Sequence, residues 1–230
     1  ELHCLRGVFD PGTNWADWVQ YPFRPGYSMV GEVVEVGEGV SSVEVGERVA
    51  TYDVHLQYFL ATAPTVDEKT GMPDGVSPYV LPAGISDEEG IWRSLAVTTQ
   101  NAVRHAEFVF GERAGIVGLG LLGQLTTQYL AAAGARQIIA IDTSASRLAI
   151  AQQHGASHTL QLDVNDAVAP VRALTDGWML DVVFDVTGSP VTLAPAVRLA
   201  RQLGRVVLLG DTPTPSQQHL GPGVGSNAVS

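Results

Sequence analysis

The hydrophobic and polar positions of the chain follow two different rhythms. Between residues 28 and 49, valines alternate with polar residues, and glycines at positions 31, 37, 39 and 46 separate the runs. A period of two with glycine turns is typical of short β-strands in a small barrel or sandwich. We therefore expect a β-rich first unit, which ends in a loop-rich stretch between residues 61 and 84.

From Ser86 onward, short apolar runs alternate with stretches of helical spacing. Ser86 and Glu89 have the spacing of a capping box and predict the start of a helix. The apolar runs predict strands at residues 114–117, 137–141, 158–162, 182–186 and 205–209. The helical spacing predicts helices at residues 121–133, 144–154, 164–174 and 191–203, with Gly134 and Gly155 ending the first two. This alternation is typical of an α/β fold with a doubly wound parallel sheet.

The distribution of charge also divides the chain. Residues 1–92 contain 15 acidic and 4 basic side chains, whereas residues 93–230 contain 9 of each. Such a break indicates two units with different surfaces. We predict a domain boundary at the capping-box helix, with a first domain of residues 1–88 and a second domain of residues 89–230.

Composition excludes several classes of protein. The chain is 45% hydrophobic and 16% charged, which is typical of a globular protein and not of a disordered one. Its one cysteine excludes an internal disulfide, and it lacks the apolar run of about 18 residues that crosses a membrane. A single lysine and scattered arginines disfavour nucleic acid as a partner. Because the sequence shows no basic, apolar leader, we expect a soluble cytoplasmic protein.

The candidate chemistry lies in the second unit. Gly118, Gly120 and Gly123 follow a predicted strand and open a predicted helix. In a dinucleotide fingerprint the first glycine makes the tight turn, the second lets the backbone approach a diphosphate, and the third allows close packing of helix and strand. The free N–H groups of Leu121 and Leu122 at the positive helix end then bind phosphate. The alternative is that the glycines serve packing alone.

Asp142 lies 19 residues beyond Gly123, at the end of the second strand of this unit, and Thr143 follows it. A carboxylate at this place accepts hydrogen bonds from both hydroxyls of a ribose and repels the additional phosphate of NADP. We therefore predict NAD as the cofactor. The alternative stays open that Arg147, one helical turn further, binds a 2′-phosphate and admits NADP.

The ends of the last two predicted strands contribute further candidates. Thr187 and Gly188 follow the fourth strand, and Leu209 and Gly210 lie at the end of the fifth. Residues at the carboxyl ends of strands border the ligand crevice of a doubly wound sheet. We predict that all four contact the cofactor, and the alternative is that the glycines only turn the chain.

Residues 25–37, 45–49 and 114–210 resemble the medium-chain dehydrogenase/reductase family, the relatives of zinc-type alcohol dehydrogenases. The resemblance implies a GroES-like β-barrel domain, here partial, followed by a Rossmann dinucleotide-binding domain. It implies hydride transfer between a nicotinamide and an alcohol, carbonyl, enoyl or quinone substrate. It also implies barrel chain before Glu1 and a sixth sheet strand after Ser230, so we expect that strand to be missing from these 230 residues.

The same resemblance bears on metal binding. Zinc-dependent members have His and Glu where this chain has Tyr27 and Ser28, and Cys or Glu where it has Arg93. Their first zinc cysteine would precede Glu1, and Cys4 comes too late to replace it. Because a catalytic zinc needs three protein ligands, we predict that the protein has no metal site.

Three side chains are candidates for proton transfer. His3 aligns with the proton-relay residue of zinc-dependent relatives, Tyr27 occupies a zinc-ligand position, and His55 follows a predicted strand. An imidazole titrates near neutral pH and a phenol can donate a proton, so each group suits general acid–base work. The alternative for each is an ordinary packed or surface side chain. Arg93 is a candidate anchor for an anionic substrate or for the cofactor phosphate.

Two functions are consistent with these features. The first is an NAD-preferring, zinc-independent oxidoreductase that acts on a small alcohol, carbonyl or activated alkene. The alternative is a non-catalytic NAD(P)H-binding sensor or chaperone-like protein of the same fold. We expect a small molecule as the partner, and a homodimer if a longer chain supplies the sixth strand, because that strand is often a subunit contact in the family.

Overall fold

The computed structural model describes residues 5–9, 12, 16, 19, 21–63, 65–66, 73–74, 78–210 and 216–218. Its contacts divide the chain into two compact units. The first comprises Glu1–Gly7 and Thr13–Leu95, and the second comprises Val8–Gly12 and Ala96–Ser230. The main division therefore falls between Leu95 and Ala96, later than the boundary predicted after residue 88.

Short antiparallel strands form the sheets of the first unit. β1 (Met29–Glu32) pairs with β2 (Arg48–Thr51), and Val30 lies opposite Ala50. β3 (Thr65–Val66) pairs with β4 (Pro73–Asp74), and β5 (Tyr79–Val80) lies on the other side of β2. Val49, Ala50 and Thr51 are buried because β2 is the central strand of its sheet.

The capping box predicted at Ser86 is present and opens α1 (Asp87–Gly90). The backbone N–H of Glu89 donates to Ser86 Oγ at 3.1 Å, and the backbone N–H of Ser86 donates to the Glu89 carboxylate at 2.8 Å. A Cβ added at Gly90 would lie 2.7 Å from Leu81 and 2.9 Å from Val30, so this helix packs tightly on the first unit. That packing explains why the first unit extends past residue 88. The longer helix α2 (Arg93–His105) follows.

Five parallel strands and their connecting helices form the second unit. The strands are β6 (Arg113–Val117), β7 (Gln137–Asp142), β8 (His158–Gln161), β9 (Leu180–Asp185) and β10 (Ala200–Leu208). The connections contain α3 (Leu121–Ala132), α4 (Ala145–Gln153), a 3₁₀ helix (Val164–Asp166), α5 (Val168–Leu174) and α6 (Leu193–Val197). The strand order is β10-β9-β6-β7-β8, so the direction of winding reverses beside β6.

Both faces of this sheet are buried. On one face Ile116 packs in a core with Leu130 of α3 and Leu148 of α4. On the other face Ile141 packs in a second core with Val171 of α5. Helices on both faces of a parallel sheet confirm the predicted doubly wound α/β fold. No described helix is long and apolar enough to span a bilayer.

Two of the predicted helices need correction. The helix predicted at residues 164–174 is divided, because Pro170 has no N–H to continue the hydrogen-bond ladder from the 3₁₀ helix into α5. The helix predicted at residues 191–203 ends at Val197, and β10 begins at Ala200. Ala200 pairs with Leu180 of β9, and a left-handed Leu203 with a φ of 59° accompanies the register shift that follows. Leu199 and Ala200 are buried at this junction but Leu203 is 66% exposed, so the apolar spacing of residues 199–203 does not mark a buried helix face.

Candidate functional site

The carboxyl ends of β6, β7 and β9 border a cavity of about 340 Å³ in the second unit. The cavity lies where the winding of the sheet reverses, because β6 has β7 on one side and β9 on the other. Doubly wound folds bind their ligands at such a reversal. The lining residues are Val117, Gly118, Gly120, Ile141, Asp142, Thr143, Arg147, Leu162, Asp163, Val164, Val186, Thr187 and Thr192.

The glycine-rich turn between β6 and α3 has the geometry that its spacing predicts. Gly118 has a φ of 91°, a left-handed conformation that favours glycine, and an added Cβ there would lie 2.8 Å from Thr187 Cγ2. A Cβ at Gly123 would lie 2.1 Å from the carbonyl oxygen of Gly118, so α3 packs against the turn itself. Gly118 and Gly123 are therefore required by the local packing.

Gly120 differs from the other two glycines of the turn. Its φ of -68° is available to any residue, and an added Cβ would meet no heavy atom within 4 Å. It precedes α3, whose first N–H groups, at Leu121 and Leu122, have no partner within the helix. The local fold does not need a glycine here, but a ligand that approaches the backbone does. An anion fits this position because the exposed N–H groups and the helix dipole both favour negative charge.

The carboxylate of Asp142 holds this turn in place. Its Oδ2 accepts the backbone N–H of Leu119 at 2.7 Å, and its Oδ1 accepts the backbone N–H of Ser144 at 2.8 Å. The Asp142 side chain is 7% exposed and lines the cavity. A carboxylate oxygen can accept two hydrogen bonds, so each oxygen keeps an acceptor position for a ligand hydroxyl.

Arg147 on α4 lies beside Asp142. Its guanidinium is 3.8 Å from Asp142 Oδ2, and its side chain is 56% exposed. Gln124 fixes the backbone of this corner, since its amide donates to the carbonyl of Arg147 at 2.8 Å and to that of Leu119 at 3.2 Å. Gln124 was not among the predicted residues, although its place directly after Gly123 could have indicated it.

Asp163 adds a second carboxylate to the cavity wall. The backbone N–H and the side-chain amide of Asn165 donate to its Oδ1 at 2.9 Å and 2.7 Å. These hydrogen bonds, the backbone one first, hold the pKa of Asp163 below its ordinary value. The group therefore stays ionised and starts the 3₁₀ helix, whose first N–H groups need an acceptor. Sequence reasoning missed Asp163, although it follows a predicted strand.

A buried carboxylate organises the loop after β9. Asp185 is 5% exposed, and its Oδ1 accepts the hydroxyl of Thr187 at 2.7 Å. Its Oδ2 accepts the hydroxyl of Thr192 at 2.7 Å. Leu209 and Gly210 donate their backbone N–H groups to the carbonyl of Asp185, which joins the ends of β9 and β10. Neither Asp185 nor Thr192 was predicted; an acidic residue that ends an apolar strand was the available signal.

Half of the twelve residues predicted to contact the cofactor line this cavity. The cavity is lined by six of them, namely Gly118, Gly120, Asp142, Thr143, Arg147 and Thr187. The other six are not lining residues of this cavity, namely Leu121, Leu122, Gly123, Gly188, Leu209 and Gly210. An added Cβ at Gly210 would lie 2.1 Å from the nitrogen of Gly188, so these two glycines let the neighbouring loops approach each other.

Two of the proton-transfer candidates lie near each other in the first unit. The backbone N–H of His55 donates to the carbonyl of Pro25 at 3.0 Å, and a Cβ at Gly26 would lie 2.4 Å from the His55 ring. Tyr27 is next in the chain and is 45% exposed. His55 is also exposed. The third candidate, His3, lies outside the described residues.

The residues at the expected zinc-ligand positions, Tyr27, Ser28 and Arg93, all belong to the first unit, where Ser94, the neighbour of Arg93, contacts Ser28. Ser94 Oγ lies 3.1 Å from Ser28 Oγ and 3.4 Å from the carbonyl oxygen of Tyr27, and Ser28 Oγ donates to the carbonyl of Ile91. Their side chains are a phenol, hydroxyls and, at Arg93, a guanidinium, which are not the His, Cys and carboxylate ligands of zinc. Within the part of the chain that the structure describes, no three His, Cys, Asp or Glu side chains form a metal-binding group.

Comparison with known proteins agrees with the two units. Residues 2–107 match the family model of the alcohol dehydrogenase GroES-like domain, and residues 122–224 match that of the zinc-binding dehydrogenase. The chain is 33% identical to (R,R)-butanediol dehydrogenase of Bacillus subtilis over 82% of this chain and 58% of that relative. It is 30% identical to L-threonine 3-dehydrogenase of Bacillus licheniformis over 85% of this chain and 63% of that relative.

Solved structures show the same similarity. The crystal structure of 2R,3R-butanediol dehydrogenase from Bacillus subtilis matches with a TM-score of 0.69 and 29% identity, over 89% of this chain and 62% of that one. A quinone oxidoreductase of Pseudomonas syringae matches with a TM-score of 0.68 and 26% identity, over 91% of this chain and 64% of that one. The chain thus spans about three fifths of the length of these curated relatives, 58% and 63% for the two named above. With a GroES-like unit followed by a parallel dinucleotide-type unit, it belongs to the medium-chain dehydrogenase/reductase family of zinc-type alcohol dehydrogenase relatives.

Proposed function

We propose that the protein is an NAD-preferring, zinc-independent oxidoreductase that transfers hydride between a nicotinamide and a small alcohol, carbonyl, enoyl or quinone substrate. The observation that carries this proposal is the open space at Gly120, where the fold itself does not require a glycine. Beside it, Asp142 lines the same cavity with acceptor capacity to spare. Similarity to proteins named butanediol and threonine dehydrogenases supports the oxidoreductase class.

In this proposal the glycine turn binds the diphosphate of the cofactor. The N–H groups of Leu121 and Leu122 point out of the start of α3 and donate to phosphate oxygens. The absence of a side chain at Gly120 lets those oxygens come within hydrogen-bond distance of the backbone. The nicotinamide, when bound, supplies or accepts the hydride.

Asp142 selects NAD in the same proposal. Its oxygens accept the two ribose hydroxyls in addition to the N–H groups of Leu119 and Ser144. A 2′-phosphate at this place would meet a carboxylate that is 7% exposed and poorly screened by water. Arg147 already lies 3.8 Å from Asp142, so its charge is partly neutralised before a phosphate arrives.

Zinc independence is proposed from the chemistry of the donors. A guanidinium stays protonated at all working pH values and cannot bind a cation, and Arg93 stands at one expected ligand position. Neither the phenol of Tyr27 nor the hydroxyl of Ser28 is a usual zinc ligand. In place of metal-assisted chemistry, we propose that Tyr27, His55 or His3 exchanges the proton with the substrate oxygen.

The experiment that tests the proposal is an equilibrium titration with NADH and with NADPH, followed by nucleotide fluorescence. We expect NADH to bind with a Kd well below about 1 mM, which corresponds to roughly -4 kcal/mol, and NADPH to bind more weakly. If neither nucleotide binds more tightly than that limit, the proposal is wrong. Stoichiometric zinc in freshly purified protein would contradict its zinc-independent part. Binding of NADH without oxidation by any carbonyl, quinone or enoyl compound would favour the sensor alternative.

A further inference from the structure

The guanidinium of Arg93 in the first unit lies over two aromatic rings. Its central guanidinium carbon lies 4.5 Å from the centre of the Tyr79 ring and 5.6 Å from that of the Tyr52 ring. Tyr79 belongs to β5, Tyr52 follows β2, and these strands are neighbours, so the sheet fixes the two rings. Both distances lie within the range of cation–π attraction. The guanidinium is therefore positioned by the fold.

This cation has no acidic partner among the described residues. None of the salt bridges and side-chain hydrogen bonds of the described chain involves Arg93. The contrast with Arg48 is informative, because Arg48 donates to Asp87 at 2.7 Å and to the carbonyl of Ile85 at 2.6 Å. Acidic side chains outnumber basic ones by 15 to 4 in residues 1–92, so a partner for Arg93 was readily available in this part of the sequence.

The chemistry of a guanidinium indicates what such a group can bind. The five N–H donors of a guanidinium lie in its plane, so a guanidinium that stacks on an aromatic ring keeps them available for a ligand. Those donors form a fork that matches the two oxygens of a carboxylate. An arginine whose position is fixed by two rings also loses little side-chain freedom when it binds a ligand.

We propose that Arg93, positioned by Tyr52 and Tyr79, binds a carboxylate group on the substrate, so that the protein acts on a carboxylate-bearing alcohol or carbonyl compound. The inference rests on the proposed oxidoreductase function, since it names the substrate class of that function. A monoanion is favoured over a phosphate ester because one cation neutralises one charge, and the surrounding unit is strongly acidic.

The test measures binding directly, by ligand-observed NMR with sodium butyrate and with its neutral counterpart butyramide. We expect butyrate to bind the protein at least about tenfold more tightly than butyramide, as a charge-assisted pair requires. Arg93→Gln should make the two affinities equal. Arg104→Gln, which removes an exposed cation from the same helix, should leave the preference for butyrate unchanged.

A second measurement serves if Arg93→Gln fails to fold. In protein labelled with ¹⁵N-arginine, butyrate should shift the side-chain resonance of Arg93, which Arg93→Lys identifies by its disappearance. Equal affinities of the wild-type protein for the two probes, an unchanged preference in Arg93→Gln, or an unshifted Arg93 resonance each overturn the proposal. A competition experiment with inorganic phosphate completes the test. If phosphate displaces butyrate and binds the site more tightly than butyrate does, the proposal is overturned in favour of a phosphate ester.

The outcome is distinguishable from failure of the proposed function. NADH affinity, measured on the same preparations, depends on the second unit and should be the same in Arg93→Gln and in the wild-type protein. Absence of NADH binding overturns the oxidoreductase proposal whatever butyrate does. Normal NADH binding without a preference for butyrate overturns only the assignment of the substrate carboxylate.

Discussion

The carboxylate of Asp142 accepts a 2.7 Å hydrogen bond from the backbone N–H of Leu119. This contact joins the end of β7 to the glycine turn that follows β6, across two neighbouring strands of the sheet. One side chain therefore shapes the turn proposed for the diphosphate and faces the space proposed for the ribose. Loss of its charge should affect both.

Asp142→Asn should weaken NADH binding by about 10- to 100-fold, because an amide cannot accept both N–H groups and both ribose hydroxyls. The NADPH affinity should fall less, since the repulsion of a 2′-phosphate is removed as well. Fluorescence titrations with both nucleotides measure the ratio. Asp166→Asn is the charge-matched control, as Asp166 is an exposed acid of the 3₁₀ helix, and it should bind NADH normally. An unaltered NADH affinity in Asp142→Asn would argue against the ribose contact.

The two glycines of the turn should respond differently to a methyl group. Gly120→Ala should lower the free energy of unfolding by about 1 kcal/mol at most, since only helix capping is affected. The same substitution should weaken NADH binding at least about tenfold, because the Cβ enters the space proposed for the diphosphate. Gly123→Ala should destabilise by about 1–3 kcal/mol or more, because its Cβ would lie 2.1 Å from the carbonyl oxygen of Gly118. Urea unfolding and NADH titration separate the two effects. Normal NADH binding by a stable Gly120→Ala protein would refute the proposed diphosphate position.

Asp185→Asn should destabilise the second unit. The buried carboxylate accepts hydroxyl donors from Thr187 and Thr192, and the amide would replace one of its two acceptor oxygens by an NH2 donor. We expect a loss of about 1–3 kcal/mol in the free energy of unfolding, measured by urea denaturation. Thr192→Val removes one donor while keeping the shape of the side chain, and its loss should be smaller. Equal stability of Asp185→Asn and the wild-type protein would show that the hydroxyls of Thr187 and Thr192 donate to other acceptors at no cost.

Asp163 should contribute a stability that depends on pH. Its pKa is lowered in the folded protein by the N–H donors of Asn165, so the folded state binds this proton less readily than the unfolded state. The contribution is therefore complete above the ordinary pKa and is lost as pH falls through the lowered folded value. The stability difference between the wild-type protein and Asp163→Asn should be largest near neutral pH and shrink in acid. A difference that stays constant across this range would contradict the assignment.

The parts of the fold that were predicted correctly have local signals. The three central strands of the second unit, β6, β7 and β9, are short and mainly apolar, because both faces of a covered parallel sheet are buried. Ser86, Gly134 and Gly155 act at the helix ends where their chemistry places them. The last predicted helix ended early because Ala200 pairs with Leu180 of β9, a contact between residues 20 positions apart that local apolar spacing does not report.

The residues of the candidate site likewise differ in whether neighbouring positions in the sequence or the strand order bring them together. Spacing alone identified the glycine turn and Asp142, since both belong to one continuous strand–turn–helix–strand segment. Thr192 and Asp163 were missed because they line the cavity only through the strand order, in which β9 lies beside β6 and β8 lies beyond β7. The contact of Arg93 with Tyr52 and Tyr79 likewise depends on which strands are neighbours.

The sequence by itself determined the alternation of elements, the glycine-rich turn between β6 and α3, and the residues other than usual zinc ligands at positions 27, 28 and 93, because each is a property of residue type and local spacing. The tertiary structure alone decided which carboxylates are buried, which hydroxyls donate to them, and which cation lies over aromatic rings. The pairing of strands brings together residues far apart in the chain, such as Asp142 with Leu119 and Arg93 with Tyr52. Asp185 meets Thr187 and Thr192 within one loop, but its burial depends on the packed sheet.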